Sequence, residues 1–168
     1  MIYMNDASEY QKAVLGFSNM LFRIAYQNLL NIEDAEDIVQ DVFLELLQSK
    51  KPVFHDQEHL KAWLIRVTIN KCINLKKRHF RHREVPLMEQ DTVLTFEEKE
   101  IIYEIGMLPK DERNIIYLYY YEGYSIKEIA AILNKNQNTV NSKLTRARKK
   151  LKKFLLGGEL QRETISMD

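Results

Sequence analysis

The sequence predicts an all-α protein in which two small helical domains are joined by a linker. Glycine and proline are scarce, with five and three residues among 168. Apolar residues recur every three or four positions along most of the chain, which is the period of an amphipathic helix. The stretch from Glu84 to Thr95 breaks that period and carries Pro86 with several acids, as is typical of a linker.

Three helices are expected before the linker. The first covers about Ser8 to Leu29. Asn31 can cap the second helix, whose acidic first turn complements the positive end of the macrodipole, and Pro52 marks its end. The third helix runs from about Glu58 to Arg78. The second helix has a regular apolar stripe, formed by Ala35, Ile38, Val39, Val42, Phe43, Leu46 and Leu47.

Shorter helices are expected after the linker. They cover about Phe96–Met107, Lys110–Glu122, Ser125–Leu133 and Asn138–Leu155. The segment that follows Gly157 is polar, and we expect it to be a frayed tail.

Composition and spacing exclude several classes of protein. Cys72 is the single cysteine, which excludes an internal disulfide framework. There is no run of about 18 apolar residues and no secretion signal, so we expect a cytoplasmic protein. Cys72, His79 and His82 lack a fourth metal ligand and an acid–base partner at suitable spacing. We therefore expect no enzyme activity, no catalytic residue, no cofactor and no metal.

Positive charge is concentrated in two segments of a chain whose net charge is only +1. Seven Lys or Arg and no acid lie between Arg66 and Arg83, and eight more, again without an acid, lie between Lys135 and Lys153. Each segment alone could be a solvated helix end. Two such segments together favour two contacts with one polyanion, such as nucleic acid.

The second half contains the spacing of a helix-turn-helix. Ser125 can cap a helix, and Glu128, three residues later, completes a capping box. Ala130 falls where two helices cross closely, Asn134 falls at a turn that needs a left-handed backbone, and Val140 would return to the core. A small residue, a turn former and a branched apolar residue at these offsets predict a helix-turn-helix.

The second helix of this motif is expected to read DNA. At about 100° per residue, one face of it is apolar and consists of Val140, Leu144, Ala147, Leu151 and Phe154. The opposite face and its flanks carry amides, hydroxyls and cations: Asn138, Asn141, Ser142, Lys143, Thr145, Arg146, Lys149 and Lys153. Amides, hydroxyls and guanidinium groups can read base edges in the major groove, whereas lysines suit phosphates.

The third helix carries a second candidate surface. Its inner side is predicted to contain Ile65, Thr68, Ile69, Cys72 and Leu75. The opposite side is a line of an aromatic, amides and cations, namely Trp63, Val67, Asn70, Asn74, Lys77 and Arg81, and Phe54 and Phe80 could add stacking surfaces. Such a line is typical of a track for single-stranded nucleic acid. The alternative, in which Trp63 packs in the core, is equally compatible with the spacing.

Acids in the second helix form a complementary stripe. Asp37, Asp41 and Glu45 lie beside its apolar face. They could dock on a basic protein partner, or they could be a solvated face that serves the helix macrodipole.

Together these residues resemble the sigma factors of bacterial RNA polymerase, specifically the small extracytoplasmic-function (ECF) group. Residues 34–43 are similar to the family's polymerase-binding helix, and residues 54–66, Asn70 and Asn74 are similar to its promoter-melting and minus-ten recognition segment. The second half is similar in Leu108-Pro109, Asp111-Glu112-Arg113, residues 122–125, Glu128-Ile129-Ala130, Thr139-Val140, Ser142, Leu144, residues 146–148 and Leu151.

The resemblance implies a role for each surface. It implies that Asp37, Gln40 and Asp41 contact the clamp helices of the polymerase's largest subunit. For the minus-ten promoter element it implies Phe54, Trp63, Asn70, Asn74, Lys77, Arg78, Phe80 and Arg81. For the minus-thirty-five element it implies Asn138, Asn141, Ser142, Lys143, Thr145, Arg146 and Lys149.

The resemblance also implies domains and partners. A region-2-like domain would span residues 1–83, a linker 84–95, a region-4-like domain 96–156 and a flexible tail 157–168. The implied partners are RNA polymerase core, promoter DNA as duplex and as melted strand, and an anti-sigma factor that controls a stress or envelope-response regulon. The alternative is a stand-alone helix-turn-helix regulator that binds duplex DNA as a dimer, which would leave the line on the third helix without a role.

Overall fold

A computed structural model of the chain describes residues 1–3, 6–49, 53–79, 95 and 102–165. The chain divides into two compact units, Met1–Thr95 and Phe96–Asp168. Helices build both units, so the predicted all-α class is confirmed. Among the described residues, no helix is long and apolar enough to cross a membrane.

Three helices form the first unit: α1 (Ala7–Leu29), α2 (Ile32–Gln48) and α3 (Gln57–His79). The backbone N–H of Asp34 donates to the Asn31 side chain at 2.9 Å, which confirms the predicted cap of α2. At the start of α1 the Asp6 carboxylate accepts from the Ser8 N–H at 2.9 Å. These caps satisfy amide groups that have no partner inside the helix.

The core of the first unit lies where α1 packs against α2 and α3. Leu21, Ile24, Leu46, Leu60, Leu64 and Ile65 are fully buried. Leu47 is 56% exposed, so its assignment to the apolar stripe of α2 is wrong. It lies about 100° around the helix from Leu46, beyond the edge of the buried face.

A short antiparallel strand pair, which the sequence did not predict, joins the start of the chain to the segment before α3. Strands β1 (Ile2–Tyr3) and β2 (Val53–Phe54) pair with Ile2 opposite Phe54 and Tyr3 opposite Val53. Two residues are too short for the alternation that marks a strand in a sequence.

The second unit contains α4 (residues 102–106), α5 (Lys110–Tyr120), α6 (Ile126–Leu133) and α7 (Gln137–Ile165). Residues 96–101, where the sequence predicts the start of a helix, lie outside the described residues. The core is formed by fully buried residues from α5, α6 and α7, among them Ile115, Tyr117, Leu118, Ile129 and Leu144.

Two predictions about α7 are wrong. The helix continues through Gly157 to Ile165, where the sequence predicted a frayed tail. Glycine disfavours a helix interior by only about 1 kcal/mol, and each further residue on an existing helix adds a hydrogen bond without a new nucleation cost. Phe154, assigned to the buried face, is 40% exposed, because it lies on a part of α7 beyond the last fully buried core position at Ala147.

Candidate nucleic-acid and polymerase interfaces

The helix-turn-helix has the geometry that its sequence predicts. The Ser125 hydroxyl and N–H donate to Glu128 Oε2 at 2.6 and 2.8 Å, and the Glu128 N–H donates to Ser125 Oγ at 3.3 Å. These bonds lower the pKa of the Glu128 carboxyl, since they favour its charged form. The capping box is thereby confirmed.

The turn of this motif is closed by Asn134 in the left-handed conformation, with φ 51° and ψ 51°. The Lys135 N–H donates to the Ala130 carbonyl at 2.8 Å, which is the long bond of a Schellman motif. Ala130 and Val140 are 5% and 0% exposed. The small residue, the turn former and the branched residue therefore all occupy the predicted environments.

One face of α7 offers polar side chains to solvent. Exposed on it are Asn138, Asn141, Ser142, Thr145, Arg146 and Lys149. On the opposite side Val140, Leu144 and Ala147 are at most 1% exposed. The Thr145 hydroxyl donates to the Asn141 carbonyl at 3.0 Å, so its oxygen still has acceptor capacity toward a ligand. We refer to these six exposed residues as the reading face.

Lys143 does not share the environment of the reading face. Its ammonium group forms an ion pair with Asp111 of α5, and Lys135 lies 3.3 Å from the same carboxylate oxygen. The hydrogen bond from Lys143 and the charge of Lys135 lower the pKa of the Asp111 carboxyl. The structure thus brings Lys143 to Asp111, away from the group with which the sequence placed it.

Other cations of the same basic segment are also engaged within the unit. Lys150 lies 2.9 Å from a carboxylate oxygen of Glu112, a residue that is 5% exposed. Arg148 donates to the Tyr120 hydroxyl at 2.7 Å and lies over the Tyr119 ring. Four of the eight cations that the sequence counts between Lys135 and Lys153 are therefore held by α5 or the residues of its last turn.

The outer side of α3 carries the second polar surface. Ile65, Thr68, Ile69 and Cys72 are buried and Leu75 is half-buried, as the period predicts. Opposite them Asn70, Asn74 and Lys77 are exposed. The side chain of Arg78, as well as Phe80 and Arg81, lies outside the described residues.

Trp63 has features of both alternatives that its spacing left open, a stacking surface and a core position. It is half-buried, and its ring contacts Phe54 edge to face at a centroid distance of 5.7 Å. Phe54 is only 4% exposed. The expectation that Phe54 offers a stacking surface is therefore wrong, because its ring is buried and packs edge to face against His59 and Trp63.

Two histidines extend this aromatic cluster, and sequence reasoning missed them. The rings of His55 and His59 stack at 5.3 Å, and His59 also meets Phe54 edge to face at 5.4 Å. The His55 N–H donates to His59 Nδ1 at 3.2 Å. His55 lies two residues before α3 begins at Gln57, so the neighbour rule for residues four apart in a helix gave no signal for this contact.

The acidic stripe of α2 separates into two parts. Asp37, Gln40 and Asp41 are exposed on one face, and Leu44 is 49% exposed beside them. Glu45 instead pairs with Lys71 of α3 at 2.9 Å, so it links two helices of the unit. The three residues assigned to polymerase binding thus share an accessible face that includes apolar atoms.

Two family models match the chain, one in each unit. The model described as Sigma-70 region 2 matches residues 14–82, and the model described as Sigma-70, region 4 matches residues 98–151. The chain belongs to the sigma-70 family, in its ECF group. It is therefore an RNA polymerase sigma factor, which directs promoter-specific initiation, and the alternative of a stand-alone regulator is not favoured. Members of this family are initiation factors and not enzymes.

Two sigma factors of known sequence and one of known structure align with this chain over most of their length. The RNA polymerase sigma factor SigV of Bacillus subtilis is 26% identical over 153 residues, which cover 86% of this chain and 87% of SigV. The ECF sigma factor SigW of the same organism is 26% identical, with 89% and 90% covered. The fold matches that of the sigma factor RpoE in its co-crystal structure with the anti-sigma factor NepR from Bartonella quintana. The TM-score is 0.74 and the identity 24%, over 89% of this chain and 98% of that one.

Proposed function

We propose that this sigma factor divides promoter recognition between its two units, with α7 reading the minus-thirty-five duplex and α3 capturing the melted minus-ten strand. The observation that carries the proposal is the reading face of α7, which presents amide, hydroxyl and guanidinium groups directly after a helix-turn-helix turn. The N-terminal turns of such a helix are those that reach base edges in the major groove. Arg146 is suited to a bidentate bond with guanine, and Lys149 to a phosphate.

The minus-ten role is proposed for the outer side of α3. Half-buried Trp63 has an accessible part on which an unpaired base can stack. Phe54 packs edge to face against the Trp63 ring and supports it. Asn70 and Asn74 follow as hydrogen-bonding groups, and Lys77 supplies charge for the backbone. Roles for Arg78, Phe80 and Arg81 stay predictions from the family resemblance.

Binding to polymerase core is proposed for Asp37, Gln40 and Asp41. Their exposure on one face of α2 leaves two carboxylates and an amide free to meet a basic partner surface. The adjoining exposed Leu44 supplies apolar area, which charge alone cannot. We propose that the clamp helices of the largest polymerase subunit are that partner.

Regulation and location are proposed from the family and from the fold. A sigma factor with the same fold has been crystallised with its anti-sigma factor, and we propose such a partner here, with a stress or envelope-response regulon. We place the protein in the cytoplasm, with residues 1–83 and 96–156 as its working domains, since polymerase and promoter DNA are found there.

Run-off transcription with purified core polymerase on fragmented genomic DNA tests the proposal. We expect discrete transcripts that require this protein. Asp41→Lys should abolish them together with core binding, whereas Glu58→Lys, an equal change of charge at an exposed position of α3, should retain them. Tight binding of duplex DNA without polymerase, and no new transcripts, would overturn the proposal.

A further inference from the structure

Two consecutive acids in the first turn of α5 hold the helix-turn-helix from one side. Oδ2 of Asp111 accepts from Lys135 at 3.3 Å and also from Lys143. Glu112 accepts from Lys150 through both oxygens, at 3.1 and 2.9 Å. Lys135 lies in the turn of the motif, and Lys143 and Lys150 lie on α7. One turn of α5 is therefore tied to the turn and to two points along the recognition helix.

The Asp111 pairs differ from the Glu112 pair in their exposure. The side chains of Lys135, Lys143 and Asp111 are 30%, 25% and 41% exposed, whereas that of Glu112 is 7% exposed. Ion pairs that reach solvent contribute little to stability. The fold of the unit therefore does not depend on Asp111, and both lysines can exchange this partner for another anion.

The position of Lys143 gives that exchange a consequence for DNA binding. Lys143 follows Ser142 of the reading face directly. An ammonium group released at this place could reach phosphates of a duplex bound to the reading face. Phosphate contacts increase affinity for every sequence by about the same factor, so two released lysines would raise the affinity of the unit for DNA in general and leave its preference for the promoter unchanged.

We propose that Asp111 limits the affinity of this unit for DNA of any sequence, because it keeps Lys135 and Lys143 from the phosphates. The inference rests on the proposed role of α7 in minus-thirty-five recognition. It removes Lys143 from the base-reading set that the sequence indicated. Asp111 acts through the two lysines and touches no DNA itself.

The variant Asp111→Asn tests this assignment. Holoenzyme is titrated with a duplex that carries the minus-thirty-five element and with a scrambled duplex, over a series of KCl concentrations. Each lysine released to a phosphate should steepen the dependence of log affinity on log salt by about 0.9. We expect affinity for both duplexes to rise about five- to tenfold per released lysine at low salt, and the ratio of promoter to scrambled affinity to stay the same.

Three further variants test whether the released lysines cause the change in salt dependence. Glu104→Gln removes one acid from the same unit without touching the lysines and should leave the salt dependence unchanged. Lys143→Gln should also leave it unchanged, because Lys143 is held on Asp111 in the wild type. The double variant Asp111→Asn with Lys143→Gln should lose about half of the added steepness, since only Lys135 is then released.

Two results would overturn the inference. One is an Asp111→Asn protein that binds both duplexes more weakly with an unchanged salt dependence, which would make Asp111 merely structural. The other is a Lys143→Gln protein whose salt dependence is shallower by the value of one phosphate contact, which would make Lys143 a DNA contact in the wild type. The measurement on the wild-type holoenzyme tests the proposed function separately. If the wild type does not prefer the minus-thirty-five duplex, the proposed function is wrong, whatever the variants do.

Discussion

Two helices of the chain end at a residue other than glycine whose backbone is in the left-handed region. Asn134 occupies the left-handed region at φ 51°, which costs most L-residues about 1–2 kcal/mol. Leu30, the C-cap of α1, lies in the same region at φ 55° without the short polar side chain that eases it. The sequence indicated the first of these positions through residue type, and it gave no sign of the second.

We expect Asn134→Val to lower the free energy of unfolding of the second unit by about 1–2 kcal/mol, because a branched side chain clashes in the left-handed region. Asn134→Gly should change it by less than about 0.5 kcal/mol, since glycine adopts this conformation freely but gains entropy when unfolded. Urea denaturation measures both. Asn141→Val, an exposed position with helical backbone, is the control, and an equal loss there would contradict the argument.

Cys72 gives the first unit a dependence on alkaline pH. Burial raises the pKa of its thiol to about 12, whereas an unfolded thiol ionises at about 8.5. The folded state therefore holds the proton more tightly. The stabilising contribution is complete below about pH 8.5 and is lost as the pH rises through the folded pKa.

We expect Cys72→Ala to flatten the decline in the free energy of unfolding between about pH 8.5 and 11, at the expense of about 1 kcal/mol at neutral pH. Ile69→Val, on the same buried side of α3, should lose similar stability and keep the wild-type pH dependence. Urea denaturation over a pH series measures this. Parallel curves for wild type and Cys72→Ala would refute the role of the thiol.

At the scale of the element, α7 joins the DNA-reading turns to a long C-terminal extension. Its first turns pack through Val140, Leu144 and Ala147, and the helix then continues past the buried core through two glycines to Ile165. A Cβ added at Gly157 would meet no atom within 4 Å. Gly157 is therefore not required by a close approach within the described part of the unit, and it weakens the helix locally.

Gly157→Ala should stabilise this part of α7 by up to about 1 kcal/mol, because alanine loses less backbone entropy in a helix. We expect slower amide hydrogen exchange from about residue 153 to 163 and an unchanged urea midpoint for the rest of the unit. Gly157→Pro should have the opposite effect on exchange. If neither substitution alters exchange in the segment, it is not helical in solution.

At the scale of the whole molecule, a basic segment in each of the two units supports the proposed division of the promoter between them. Each segment alone offers few phosphate contacts, so we expect the isolated protein to bind promoter DNA weakly. Polymerase core, by holding both units near their elements, would convert two weak contacts into one strong one.

This division predicts different defects for Arg146→Ala and Asn74→Ala. The first should weaken binding of the closed complex by about 1–3 kcal/mol, since a bidentate base contact is lost. The second should leave closed-complex affinity within about twofold and mainly slow strand opening, because Asn74 is proposed to meet only unpaired bases. Band-shift titration measures the first step and a fluorescent base analogue in the minus-ten element the second. Equal effects of both substitutions on both steps would contradict the division.

The sequence by itself determined the class of fold, the caps and the helix-turn-helix. These depend on local physics: Asn31 and Ser125 bond to amides within three residues, and the buried stripe of α7 through Ala147 repeats every turn. Such features depend only on residues that are close in the sequence, so they form in any tertiary arrangement. The family resemblance added the functional roles, because its motifs also lie in continuous segments.

Only the tertiary structure decided which of the candidate side chains are available. Phe54 is buried in a short strand whose partner comes from the start of the chain, and Lys143 is bound because Asp111, 32 residues earlier, faces it across the unit. Leu47 is exposed because it lies beyond the edge of the buried face of α2, and Phe154 is exposed because α7 extends past its packed core. A period reports which side of a helix a residue is on. Which side chains pack against that side depends on segments that are distant in the sequence, so no local pattern predicts it.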